Sequence, residues 1–240
     1  MPEGRFPILE LKEINTFYGG AHILHGVSLH ISAGEVVSLL GRNGAGKTTT
    51  IKSSIGLVRP RRGTITFLGH ETTSWPTHKI CQLGLGYVPE ERRIFSDLTV
   101  IENLEVGRRP AQNDIPAWSV KNLFELFPNL AERKNNLGGQ LSGGEQQMLT
   151  IARTLMGNPQ LILLDEPSEG IAPVIVEKMA EVIREFKSAG LTVLLSEQNL
   201  HFAKLVSDRA YIIESGQICY DGTIAEIEEN TEIREKYLAI

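Results

Sequence analysis

The segment GRNGAGKT, Gly41 to Thr48, follows the apolar run Glu35 to Leu40 and opens a helix-compatible stretch that continues to Leu57. It completes the pattern G-x-x-x-x-G-K-[ST], and a strand before it with a helix behind it is the setting in which that pattern binds phosphate. Its glycines let successive backbone N–H groups converge on phosphate oxygens, and the following helix adds the positive end of its dipole. Gly41, Asn43, Gly44, Ala45, Gly46 and Thr49 would form the cradle, Lys47 would bridge the terminal phosphates, and the Thr48 hydroxyl would ligate Mg²⁺. Chance supplies the pattern in roughly one chain in a hundred of this length, before the strand and helix are demanded. A chain built around this unit is an α/β protein whose ligand sits at the carboxyl edge of a sheet.

A second segment, LILLDEP, uses four apolar residues, Leu161 to Leu164, to deliver Asp165 and Glu166 to that same edge. Alone, an Asp-Glu pair after a strand is as readily a solvated turn. Beside a phosphate loop, Asp165 would hold Mg²⁺ through water, and Glu166 would orient or deprotonate the water that attacks the γ-phosphate. A third segment, QLSGGEQQ, runs from Gln140 to Gln147. Ser142, Gly143 and Gly144 at a helix start make a second set of oriented N–H donors, an anion site that one bound nucleotide cannot fill. A capped helix with a turn accounts for Ser142 and Glu145 but leaves the two glycines unexplained.

Around these segments the chain alternates. Ile8 to Ile14 and Ile23 to Ile31 read as opening strands, and Thr64 to Leu68 as another, entered through Arg59, Pro60 and Gly63. From Glu90 to Gly139 the texture becomes helical, with Thr99 and Glu102 as one capping box and Trp118 to Phe127 as an amphipathic stretch halted by Pro128. Ser142 and Glu145 form a second box, opening a helix with Met148, Ile151, Ala152, Leu155 and Met156 on one face. After Asn158 and Pro159 the βαβ pattern returns: Leu161 to Leu164, then a helix from Pro173 with Ile175, Met179, Val182, Ile183 and Phe186 on one face, Gly190 as its stop, and Thr192 to Leu195. Solid apolar runs rather than alternation predict strands covered on both faces in a parallel sheet. Tyr211 to Ile213 and Ile218 to Tyr220 read as a hairpin through Ser215 and Gly216, and Thr223 with Glu226 caps a last helix.

The 240 residues suit one domain with a subdomain, and 24 basic against 29 acidic residues give −5, so no overall positive field draws in nucleic acid or an anionic membrane. The longest wholly apolar runs hold about four residues against the roughly 18 of a membrane helix, and the start lacks a signal-peptide pattern, so a soluble cytoplasmic chain is expected. Cys81 and Cys219 are too few for a disulfide framework or a metal cluster.

The three segments, which follow one another along the chain as GRNGAGKT, QLSGGEQQ and LILLDEP, resemble the ATP-binding cassette (ABC) ATPases, and the resemblance covers nearly the whole chain. The resemblance implies a P-loop NTPase fold over residues 1–240, with a mixed, mostly parallel core sheet, an N-terminal antiparallel β subdomain and a helical signalling insert over about residues 91–158. It implies ATP and Mg²⁺ as ligands and a head-to-tail dimer in which Ser142, Gly143 and Gly144 of one subunit close on the γ-phosphate held by the other's Lys47. Tyr18 stands where the family places an aromatic on adenine; taken alone, a tyrosine before Gly19 is more often plain packing. Three positions depart from the family pattern. Glu90 replaces a glutamine that reaches Mg²⁺ and the γ-phosphate, Ala172 replaces an aspartate that crosses the dimer, and Gln198 replaces the histidine that senses the γ-phosphate.

With PEERRIF, DEPSEGIAP and SEQN, the chain looks like the smaller ATP-binding subunit of importers for branched-chain amino acids and related polar organic solutes such as urea or amides. That group implies a second, different cassette, two membrane permeases, an external substrate-binding protein, and a location on the inner face of the cell membrane. A homodimer in isolation stays open. Arg92, Arg93, Ile94 and Phe95 would line the groove for a permease helix. The rival is a soluble ABC ATPase acting on a protein or nucleic acid; a further one is a non-hydrolysing subunit, against which intact Lys47, Asp165 and Glu166 argue.

Overall fold

The computed structural model describes residues 7–110 and 117–238. In chain order it holds β1 (Leu9–Tyr18), β2 (Ala21–Ile31), β3 (Val36–Leu40), α1 (Lys47–Ser54), β4 (Arg62–Phe67), β5 (His70–Glu71), α2 (Thr77–Gln82) and β6 (Leu85–Val88). Four helices follow: α3 (Val100–Gly107), α4 (Val120–Leu126), α5 (Pro128–Glu132) and α6 (Gly143–Leu155). The last part runs β7 (Leu161–Asp165), α7 (Pro173–Ser188), β8 (Thr192–Glu197), α8 (Leu200–Val206), β9 (Arg209–Glu214), β10 (Gln217–Thr223), α9 (Ile224–Glu229) and α10 (Thr231–Ile233).

The strands form two sheets, an antiparallel one of order β2-β1-β4-β5 and a six-stranded one of order β10-β9-β3-β8-β7-β6. In the second, β9, β3, β8, β7 and β6 pair in parallel and only β10 is antiparallel. Every residue of β3, β7 and β8 is buried, because alternate side chains feed two different cores. Val36, Ile162, Leu164, Val193 and Leu195 pack with Met148, Ile151, Leu155, Val182 and Phe186 of α6 and α7. Val37, Leu39, Leu161, Leu163 and Leu194 pack instead with Leu9, Leu11, Ile51 and Phe67, joining the antiparallel sheet and α1 to the opposite face. The sheet is therefore sandwiched, and its ends are the places left for a ligand.

Between β6 and β7, which are neighbours in the sheet, the described chain runs through α3 to α6 with no named strand. All three capping boxes form: Thr99 with Glu102, Ser142 with Glu145 and Thr223 with Glu226. Two expectations need correction. Pro128 does more than halt α4; it is the first residue of α5, where its fixed φ suits the helix and its missing N–H costs nothing. The helix after Thr223 is not the last, since α10 and a π-helical turn at Arg234–Leu238 follow. β6, reading LGYV, has no periodicity to announce it and is fixed by pairing with β7. Cys81 is half-buried and Cys219 exposed, and both thiols are free. Among the described residues no helix is long and apolar enough to cross a membrane.

Candidate functional site

β3, β7 and β8 end at one edge of the sheet, so their parallel register decides which side chains meet there. Leu40 lies opposite Glu197, and Asp165 opposite Ser196. The loop leaving β3 turns back into α1 through Gly44 and Gly46, at φ +81° and +113°, conformations that side chains other than glycine rarely take. Gly46 also lacks room, since a Cβ there would stand 2.9 Å from Leu24 Cδ2. The β9–β10 hairpin braces this loop from behind, with Gly216 N donating to Ala45 O at 2.8 Å and Gly216 O accepting from His25 N at 2.8 Å. The result is a cavity of about 260 Å³ lined by Tyr18, Ile23, Gly44, Gly46, Lys47, Thr48, Thr49 and Glu166. Gly41 and Ala45 are buried and Asn43 is exposed, and none of the three is among the lining residues.

Lys47 is 3% exposed and Glu166 7%, and they pair at 3.0 Å between Nζ and Oε1. The same ammonium donates to Gly41 O at 2.8 Å and Arg42 O at 3.1 Å, so its three protons are used. Asp165 accepts from Thr48 Oγ1 at 3.0 Å, Ser196 Oγ at 2.7 Å and Tyr87 OH at 3.3 Å. Burial pushes the Asp165 carboxyl up and these three hydrogen bonds pull it back. The Tyr87 phenol is pushed up by burial and by the Asp165 charge. Thr48 and Asp165 together present hard oxygen donors, the chemistry Mg²⁺ prefers.

Glu166 sits at φ +47°, a strained conformation for a side-chain-bearing residue and one that clusters at functional sites. Gln198 Nε2 donates to its Oε2 at 3.4 Å. Glu169, three residues on, shares a hydrogen bond with Glu166 and is pushed up to about 7 by it, then by burial and the charges of Glu166 and Glu90. Glu90 is solvent-exposed, and its carboxyl rises through desolvation and the like charges of Glu166 and Asp165. Among the described residues no hydrogen bond joins it to Thr48 or Asp165.

Ser142, Gly143 and Gly144 are not among the cavity's lining residues. Ser142 is exposed, and its hydroxyl donates to Glu145 Oε2 at 2.7 Å while accepting from Glu145 N at 3.4 Å. Gly144 also has a packing reason within the chain, whereas at Gly143 the near neighbour is the flexible end of Arg92. A Cβ on Gly143 would stand 2.7 Å from Arg92 Nη1, and one on Gly144 3.0 Å from Ile175 Cγ2. Sequence reasoning missed Ser196, Tyr87, Glu169 and Glu197. The register of β8 against β7 was the signal that would have found Ser196.

The family described as "ABC transporter" matches residues 24–169. The chain is 42% identical to the high-affinity branched-chain amino acid transport ATP-binding protein BraG of Pseudomonas aeruginosa, over 96% of this chain and 99% of that one. It is 37% identical to the lipopolysaccharide export system ATP-binding protein LptB of Haemophilus influenzae, over 96% and 97%. The solved ADP conformation of the ATP-binding cassette MJ1267 matches with a TM-score of 0.81 at 27% identity, covering 96% of this chain and 98% of that one. A phosphate loop, a buried Lys47–Glu166 pair and two sheets in this order thus meet a family match over most of the chain, and the protein belongs to the ABC transporter ATPases.

Proposed function

We propose that this chain is the ATP-hydrolysing subunit of an importer for branched-chain amino acids or a related polar organic solute, held at the inner face of the cell membrane by two permeases. The observation that carries this reading is the 42% identity to BraG along nearly the full length of both chains. The segments DEPSEGIAP and SEQN support the same group. The likeness to LptB favours a second reading, a cassette for lipopolysaccharide export, at 37%. Copurification with tagged permeases, followed by uptake of labelled leucine and urea into vesicles, separates the two. ATP-dependent uptake of either solute supports import; lipopolysaccharide release from vesicles, with no uptake, replaces it with the export reading.

In this reading Tyr18 receives the base, and Gly41 to Thr49, with Asn43, Ala45 and Lys47, hold the phosphates. Thr48 and Asp165 would hold Mg²⁺, which neutralises phosphate charge when bound; Glu90 adds negative charge beside it. Glu166 accepts the proton of the attacking water as the new P–O bond forms and the bond to the β-phosphate oxygen breaks. Gln198 donates one hydrogen bond and, unlike histidine, carries no positive charge. A Gln198→His variant is expected to hydrolyse ATP at the same rate or up to about tenfold faster. A collapse in single-turnover rate would show instead that the amide itself is required.

Ser142, Gly143 and Gly144 would serve the partner's nucleotide, and this partner is a second cassette. The permease would dock in a groove of about 440 Å³ lined in part by Leu57, Tyr87, Arg93, Phe95, Val106 and Arg153. Phe95 is 48% exposed there with the Arg153 guanidinium 5.0 Å from its ring centroid. Truncating an aromatic anchor costs about 2 kcal/mol, roughly 30-fold in affinity. Phe95→Ala should therefore lose solute uptake while ATP hydrolysis by the purified chain persists, and equal loss of both, or of neither, removes Phe95 from the docking role.

A further inference from the structure

We propose that Glu197 is a positioning residue of the hydrolytic centre: its buried carboxylate locks the loop carrying Glu166 against the loop carrying Gln198, while its backbone anchors the phosphate loop. The inference rests on the reading of Glu166 as the base. Glu197 ends β8 and is 1% exposed. Its Oε1 accepts from Ser168 N at 3.0 Å, two residues beyond Glu166. Its Oε2 accepts from Asn199 N at 3.4 Å, one residue beyond Gln198. Its carbonyl oxygen accepts from Gly41 N at 3.2 Å, the first residue of the phosphate loop. One residue thus ties together the three loops whose side chains converge on Glu166.

A buried carboxylate is costly, and an apolar residue would fill the same space without that cost. Here the charge meets two backbone N–H groups and no cation forms an ion pair with it among the described residues. The charged group facing it is Glu166, from the end of β7; the turn after β7 and the turn before α8 present it with the N–H groups of Ser168 and Asn199, which do not titrate. Burial, with the Glu166 charge adding to it, overcomes the hydrogen bonds from the Ser168 hydroxyl and the two N–H groups and pushes the carboxyl up to about 7. Above that pH the ionised group accepts from both backbone N–H groups. Below it, one oxygen carries a proton toward an N–H, and one of the two ties is lost. The 3.4 Å contact from Gln198 to Glu166 then depends on the ionisation of a group that is not among the residues lining the nucleotide cavity.

The test is kcat and ATP affinity of the full chain with Mg²⁺-ATP from pH 6 to 8.5. The wild type should gain rate through an inflection near 7. Glu197→Gln keeps the shape but points an amide at one N–H; losing one charge-assisted tie should lower kcat about tenfold at pH 8, leave ATP affinity within about twofold and abolish the inflection. Glu197→Asp, which keeps the charge but reaches one N–H, should be intermediate in rate and retain an inflection, and it decides the matter if the Gln variant does not fold. A flat wild-type profile overturns the inference, as does an Asp or Gln variant indistinguishable from wild type. So does an inflection that disappears in Glu169→Gln and persists in Glu197→Gln, since the ionisation would then belong to Glu169. Glu166→Gln measured alongside separates the two claims: retained turnover in that variant defeats the reading of the base, whereas abolished turnover with a silent Glu197→Gln defeats the positioning role alone.

Discussion

Glu166→Gln is expected to cut single-turnover hydrolysis by about 10³-fold, within the range a general base contributes, while ATP still binds. The amide has nearly the size of the carboxylate and keeps a hydrogen-bond acceptor for Gln198, but it cannot take the proton from water. A second consequence follows from the ion pair with Lys47, which is buried and 3.0 Å long. In the wild type a triphosphate must draw Lys47 away from Glu166 and from the carbonyls of Gly41 and Arg42. Removing the carboxylate's charge removes one competitor and relieves the repulsion between phosphate and Glu166, so binding should be unchanged or tighter. A fluorescent ATP analogue measures the affinity and quenched-flow the hydrolysis. Turnover at the wild-type rate in this variant takes Glu166 out of its role, and weaker binding shows that the pair prepares Lys47 rather than competing for it.

The parts of the site encoded within a few consecutive residues were legible in the chain itself. GRNGAGKT fixes its own backbone through Gly44 and Gly46, and the apolar runs before it and before Asp165 could only be strands covered on both faces. Capping boxes at Thr99, Ser142 and Thr223 likewise depend on residues three apart. What stayed hidden depends on register between strands distant in sequence. Ser196 reaches Asp165 across 31 positions, and Glu197 reaches Ser168 across 29. No local pattern marks a buried glutamate as different from an exposed one, and SEQN reads the same whether Glu197 faces solvent or the core. The glycines of LSGGEQQ show the opposite limit. The tight space at Gly144 beside Ile175 is tertiary, and sequence reasoning credited both glycines to an anion alone.

Ser142→Arg should abolish both ATP-driven pairing of cassettes and turnover of the assembled complex, with the folded monomer intact. In the chain alone Ser142 is exposed and serves as the N-cap of α6, so the arginine meets solvent and the helix loses a cap worth about 1 kcal/mol. For a chain of this size that corresponds to a fall in Tm of roughly 2–4 °C. If a neighbour's triphosphate is instead pressed against this residue, the six heavy atoms of arginine beyond Cβ stand where a hydroxyl should be, and closure fails. Ser142→Asp discriminates further because it restores the cap. Its carboxylate opposes a phosphate by about 4 kcal/mol at 4 Å and an effective dielectric near 20, some 10³-fold in the closing equilibrium. Both variants should therefore lose ATP-dependent dimerisation in sedimentation, the arginine with a slightly lowered Tm and the aspartate with none. Wild-type pairing and turnover in the aspartate variant would mean that no phosphate lies against this helix end, and the two-site account of hydrolysis would have to be given up.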